Sequence, residues 1–177
     1  DLLDALSGEK SKWKGHGTDG LDWGYSPVIN ASIKPSALYS QARPQDFEGS
    51  VNAICERLRP VIRKARKAGG HLCIDMEQYK YKDITIEAYK RLRSDPEFRE
   101  FDQLALVLQA YLKDTDSDLD DLLGWARSEK LPVALRLVKG AYWDYETVLA
   151  KQNGWEIPVY TIKAESDAAF ERLSENI

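Results

Sequence analysis

The sequence has little with which to staple a fold covalently or through a metal. Two cysteines and two histidines occur in 177 residues, too few for a disulfide framework or a His/Cys zinc site to organise the chain. Cys55 falls in a helical pattern and Cys73 in a buried-strand pattern, so both read as core thiols, and a reducing compartment follows. No apolar run approaches the roughly 20 residues that cross a bilayer, and no charged-then-apolar leader opens the chain. Positive charge is not in excess either: the net charge of −4 offers nucleic acid no basic footprint. The expectation is cytoplasmic, with no nucleic-acid partner.

What is present is a composition of 43% hydrophobic and 31% charged residues, which suits one soluble globular unit with a sizeable core. Residues 1–24 hold five glycines and little periodicity, and read as a linker or surface segment trailing from upstream sequence; a start at Asp1 points to a piece of a longer chain. From residue 25 onward strand and helix patterns alternate. Strands are expected at 28–34, 72–75, 104–110, 133–138 and 158–161. Helices are expected at 46–68, 83–93, 117–128, 144–152 and 166–174. Pro60 should kink the first helix or begin a second piece, and Gly69-Gly70 should stop it. Ser166 or Asp167 should cap the last.

Strict alternation implies parallel strands with right-handed crossovers, in an open doubly wound sheet or a closed barrel. Side-chain parity separates the two. Leu135 and Leu137 point one way and Ala134, Arg136 and Val138 the other, and the earlier strands repeat this split, with Lys34, Asp75 and Gln109 sharing the face of Arg136. An open sheet covered by helices would be apolar on both faces, whereas polar groups at consecutive strand ends build a barrel site. With about five βα units where closure takes about eight, the 25–177 region is expected to be α/β, an incomplete parallel (βα)8 TIM-like barrel.

Each polar group also has a structural reading. The four inner residues could form an ion-pair network plugging the barrel mouth, and Asp75 with Glu77, on one strand face, could ligate a divalent metal, though His16 lies in the leading loop and His71 at the start of a strand, away from the C-terminal rim. A fixed guanidinium is also what a redox cofactor uses to stabilise the negative charge that arrives on reduction. Lys139-Gly140-Ala141 suits phosphate or ribose contact, and Tyr142 and Trp143 can stack on a ring or pack on the next helix.

The segments Ser-Ile-Lys-Pro-Ser-Ala-Leu (32–38), Ile-Asp-Met-Glu (74–77), Leu-Gln-Ala-Tyr (108–111), Arg-Leu-Val-Lys-Gly-Ala-Tyr-Trp (136–143) and Pro-Val-Tyr-Thr-Ile-Lys (158–163) occur in this order. Together they resemble the proline dehydrogenase domain of the bifunctional proline utilisation flavoenzymes. The resemblance implies a distorted (βα)8 barrel with non-covalent FAD, oxidising L-proline to 1-pyrroline-5-carboxylate by hydride transfer to flavin N5. Electrons would pass to a membrane quinone from an enzyme peripheral at the inner membrane, and an aldehyde dehydrogenase domain would share the full-length chain. Lys34 would hold the proline carboxylate beside Asp75; Gln109 and Arg136 would bond the isoalloxazine. Lys139, Gly140, Ala141 and Trp143 would line the flavin and its ribityl–phosphate portion, and Thr161 and Lys163 the diphosphate–adenosine end. Pro35 stands where the family commonly carries Leu, and Ile162 where many members carry Arg. The paired arginines that clamp the substrate in the family would lie beyond Ile177, so the isolated piece is expected to be inactive. The alternative is a non-catalytic barrel remnant or interaction module.

Overall fold

A computed structural model of the chain describes residues 2–9, 27 and 29–177. Four strands, β1 (Asn30–Ile33), β2 (His71–Ile74), β3 (Leu104–Gln109) and β4 (Ala134–Val138), form one sheet in the order β1-β2-β3-β4, every pair parallel. Each strand lies beside its successor and is followed by helix. A doubly wound sheet would reverse direction at a switch point, so this order is that of consecutive units of a (βα) barrel. The sheet has four strands rather than the expected five. Residues 158–161 supply only an isolated antiparallel bridge, Val159 to Leu112, because this segment crosses the end of β3 instead of joining the edge of β4.

The helices are α1 (Leu2–Glu9), α2 (Pro35–Leu38), α3 (Phe47–Ala68), α4 (Lys82–Ser94), α5 (Thr115–Glu129), α6 (Trp143–Asn153) and α7 (Lys163–Asn176). Within the 1–24 segment read as linker or surface chain, α1 is a helix that seats Leu3 in the core; the rest of that segment lies outside the described residues. In α3, Val51, Ile54, Leu58, Ile62 and Ala65 fall on one buried stripe, and each fully buried Val, Leu or Ile contributes about 1.5–3 kcal/mol. Asp46 caps the helix by accepting from the Gly49 backbone at 3.2 Å, and Gly69 ends it in the left-handed region, φ 60°. Helix α3 runs unbroken through Pro60. The carbonyl left without a donor is that of Glu56, and both residues are on the exposed side, where water serves it. Helix α7 begins earlier than expected, at Lys163, with no side-chain cap on Ile162; Asp167, expected as a cap, is engaged elsewhere.

Two buried polar contacts tie the helical layer together. The Lys82 ammonium lies 2.6 Å from Asp118 on α5. Arg93, at the end of α4, is fully buried with no ion pair among the described residues. Its guanidinium donates instead to the carbonyls of Phe98, Arg99 and Phe101 at 2.7–3.2 Å and to that of Pro132 at 3.0 Å. The connection into β3 and the approach to β4 are thereby fastened to one group. Both cysteines are free and buried, and burial pushes each thiol up to about 11. No helix of the described residues is long and apolar enough to cross a membrane.

Candidate active site

The register sets the inner face. Ser32 pairs with Cys73, Cys73 with Ala105, and Ala105 with Ala134, giving a row of small side chains across all four strands. Arg136 stands one step beyond that row, opposite Val107. Its guanidinium spans β3 and reaches the first two strands, donating to Asp75 Oδ1 at 2.5 Å and Ser32 Oγ at 3.1 Å. A long side chain can lie along the face because nothing in the row beneath is larger than Cys73. Arg136 faces the interior, as parity predicts, and stays 49% exposed because β4 has a strand on one side only.

Lys34 follows Ile33, which pairs with Ile74, so it stands beside Asp75 in register. It is exposed and makes no ion pair among the described residues. Gln109 is buried at the end of β3; its Nε2 lies 3.5 Å from the Met76 carbonyl, and its Oε1 has no partner among the described residues. A buried carbonyl oxygen left without a donor is costly unless something fills the space in front of it. Glu77 does not stand beside Asp75 as a second free carboxylate. Its two oxygens accept from the Ser36 backbone at 2.9 Å and the Ser36 hydroxyl at 2.5 Å, pinning α2 beneath the mouth.

Beyond the end of β4 lies a cleft of about 320 Å³, lined by Lys139, Gly140, Trp143, Thr161 and Lys163 among others and by none of Lys34, Asp75, Gln109 and Arg136. Five of the residues singled out from sequence thus meet in one place, and Ala141, exposed, lies outside the lining. Gly140 has φ +132°, and a Cβ there would come within 2.4 Å of the Tyr111 ring. Only glycine fits both the backbone angle and the contact. The Tyr111 carbonyl accepts from the Tyr160 backbone at 2.8 Å, its amide donates to the Lys139 carbonyl at 2.8 Å, and its hydroxyl accepts from the Tyr142 backbone at 3.2 Å. Burial pushes the Tyr111 phenol up to about 12. Trp143 opens α6 and donates its indole N–H to the Tyr160 carbonyl at 2.9 Å. Lys139 and Lys163 converge on Asp167, whose carboxyl they hold below the usual carboxylate range, Lys139 foremost. Two ammonium groups on one carboxylate leave the cleft mouth with surplus positive charge.

Tyr111, Asp167, Ser32 and Ser36 were not singled out as site residues from the sequence. Parity puts Ser32 on the face of Lys34 but gives it no role. Tyr111 and Asp167 act through contacts between segments far apart in the chain, which no local pattern reveals.

A family model for proline dehydrogenase matches residues 1–177. The chain belongs to the proline dehydrogenase family. It is 31% identical over 140 residues to the bifunctional protein PutA of Escherichia coli, covering 78% of this chain and 11% of that protein. It is 32% identical over 152 residues to the proline dehydrogenase of Deinococcus radiodurans, covering 85% of this chain and 40% of the relative. Among solved structures, proline utilization A from Bdellovibrio bacteriovorus inactivated by N-propargylglycine superposes with TM-score 0.92 at 40% identity, covering 99% of this chain and 18% of that one. The chain therefore spans less than half the length of each of these proline dehydrogenase relatives.

Proposed function

We propose that this chain forms the flavin-contacting half of a FAD-dependent proline dehydrogenase, which oxidises L-proline to 1-pyrroline-5-carboxylate and delivers the electrons to a quinone. The observation that carries the reading is Arg136 reaching across the inner face to Asp75 and Ser32, with Lys34 and Gln109 on that same face. Family membership and the relatives' names support it.

The residues present fit a flavin. Gln109 offers a buried amide with an unsatisfied oxygen, Gly140 borders the cleft with the Tyr111 ring packed against its backbone, and the cleft mouth is cationic. Gln109 and Arg136 would hold the isoalloxazine, Lys139, Gly140, Ala141 and Trp143 the ribityl–phosphate portion, and Thr161 and Lys163 the diphosphate–adenosine end. When bound, FAD supplies the two-electron acceptor for the substrate's carbon–nitrogen bond. Lys34, uncommitted to any acid in the described residues, binds the proline carboxylate through charge-assisted hydrogen bonds. Asp75 orients Arg136 and places negative charge beside Lys34. Arg136 contributes a permanent positive charge where electron density accumulates, and its tether to Asp75 means that little reorganisation is needed as the charge arrives.

On this reading the enzyme is cytoplasmic and meets the inner membrane peripherally when it hands electrons to quinone. An aldehyde dehydrogenase unit shares the full-length chain, in keeping with the word bifunctional in the names of the PutA relatives. The test is expression of the chain extended to the length of its relatives. Bound flavin absorbance and proline-dependent reduction of an artificial dye are expected; a folded protein with neither would overturn the proposal.

A further inference from the structure

A second pocket lies on another side of α6, and none of its lining residues borders the Gly140 cleft. It encloses about 270 Å³ between α6, the short turn Tyr79–Tyr81 and residues 155–158. Glu146 lines it, although this side chain is only 4% exposed. One carboxylate oxygen, Oε1, accepts from the Tyr79 backbone at 2.7 Å. The other accepts from no described residue, and no described cation is within ion-pair distance. A carboxylate so placed is expensive unless a positive group meets it, and burial accordingly pushes its pKa up. The walls include Tyr79, Tyr145, Trp155 and Leu149, and Trp155 is 62% exposed. Aromatic walls around an acid suit an ammonium group. Lys80 also borders the pocket, its ammonium 4.7 Å from the Tyr81 ring.

We propose that this pocket binds an apolar α-amino acid. Its ammonium pairs with Glu146, its carboxylate with Lys80, and its side chain rests against Trp155 and Leu149. Opposite charges within one pocket discriminate against the simpler ligands. A bare cation meets Lys80, a bare anion meets Glu146 and the Lys113-paired Glu156, and a neutral molecule leaves the buried carboxylate unpaired. The volume lies just below the about 300–1,000 Å³ of sites for drug-sized ligands, which sets the scale at a single amino acid. This site is independent of the proline-oxidising reading, since it shares no residue with that machinery.

The experiment uses the full chain labelled with 5-fluorotryptophan, with Trp155→Phe assigning the Trp155 fluorine resonance. Three matched probes are titrated: L-leucine, isoamylamine, which lacks only the carboxylate, and 4-methylpentanoate, which lacks only the amine. Leucine is expected to shift the Trp155 resonance saturably, and each truncated probe to bind about tenfold more weakly, the loss for an unpaired charge-assisted hydrogen bond. Glu146→Gln is expected to weaken leucine binding to a similar degree, and Lys80→Met to erase the preference for leucine over isoamylamine. Leu149→Phe fills the pocket without touching the Glu146–Tyr79 contact and is expected to abolish the shift, which keeps the test decisive if Glu146→Gln lowers the thermal midpoint. A Trp155 resonance that does not move with leucine at tens of millimolar, or that moves equally in Leu149→Phe, overturns the proposal. Flavin content and proline turnover are not read, so this outcome and that of the proposed function are separable.

Discussion

Strands β3 and β4 are parallel neighbours of similar length, Leu-Ala-Leu-Val-Leu-Gln against Ala-Leu-Arg-Leu-Val, and differ chiefly in what surrounds them. All six residues of β3 are buried, with a strand on either side; none of the five in β4 is, with a strand on one side only. Each places one polar side chain on the inner face. In the dry central strand it is a neutral amide, Gln109. In the half-wet outer strand it is a guanidinium, Arg136, since charge is tolerable where water still reaches it and an acid stands within reach. Stability is therefore concentrated in the middle of the sheet and the candidate chemistry toward its margin.

That division can be tested, beginning with the largest effect. Leu106 and Leu135 are register partners on the two strands. Leu106→Ala, at a fully buried position, is expected to cost about 2–5 kcal/mol by urea denaturation, and Leu135→Ala less than half as much. Equal losses would erase the distinction between centre and margin. Next, Arg136→Met in the extended chain is expected to lower proline turnover about 10²-fold while changing flavin content far less, because its charge acts as electrons arrive rather than as the cofactor docks. Full turnover would remove Arg136 from the chemistry. Gly140→Ala is expected to cost about 1–3 kcal/mol through left-handed strain and collision with Tyr111, together with loss of bound flavin; an unchanged thermal midpoint would contradict the close approach.

The smallest effect is expected at the connection into β3. Asp95 accepts from Arg59 at 2.6 Å and from the Glu97 backbone at 2.8 Å, and these bonds, Arg59 first, hold its carboxyl below the usual range. A carboxyl depressed on folding stabilises above its unfolded pKa and loses that contribution as pH falls through the folded value. Asp95→Asn should therefore be less stable than the parent by about 0.2–1 kcal/mol near neutrality, after solvent screening. The gap should close as the medium is acidified below about pH 4. A pH-independent gap would assign the effect to packing.

Much of this arrangement was legible because a strand has a period of two. Parity alone put Lys34, Asp75, Gln109 and Arg136 on one face, and the register agrees. Helix α3 was readable from its apolar stripe and its terminal glycine pair, both local signals. The segment 158–161 was misread because Val159 and Tyr160 have strand propensity wherever they sit; whether they join a sheet depends on partners distant in sequence, and here the partner is the end of β3. For a related reason Pro60 does not begin a second piece, since the cost of a missing donor depends on whether the orphaned carbonyl faces core or water. Tyr111 lay inside a recognised motif, yet its role in joining three segments exists only once they are folded together.

Arg93 imposes a constraint of a different kind. Because one guanidinium gathers carbonyls from residues 98–101 and from Pro132, two surface connections that look independent along the chain share a single rivet. An insertion or a new terminus placed in either would slacken the other, so the loops of this half-barrel are poor sites for grafting. The opposite rim has a tie of its own in Tyr111, which gathers the segments of Lys139, Tyr142 and Tyr160, so neither end of the sheet absorbs new sequence without disturbing β4 and the guanidinium it carries.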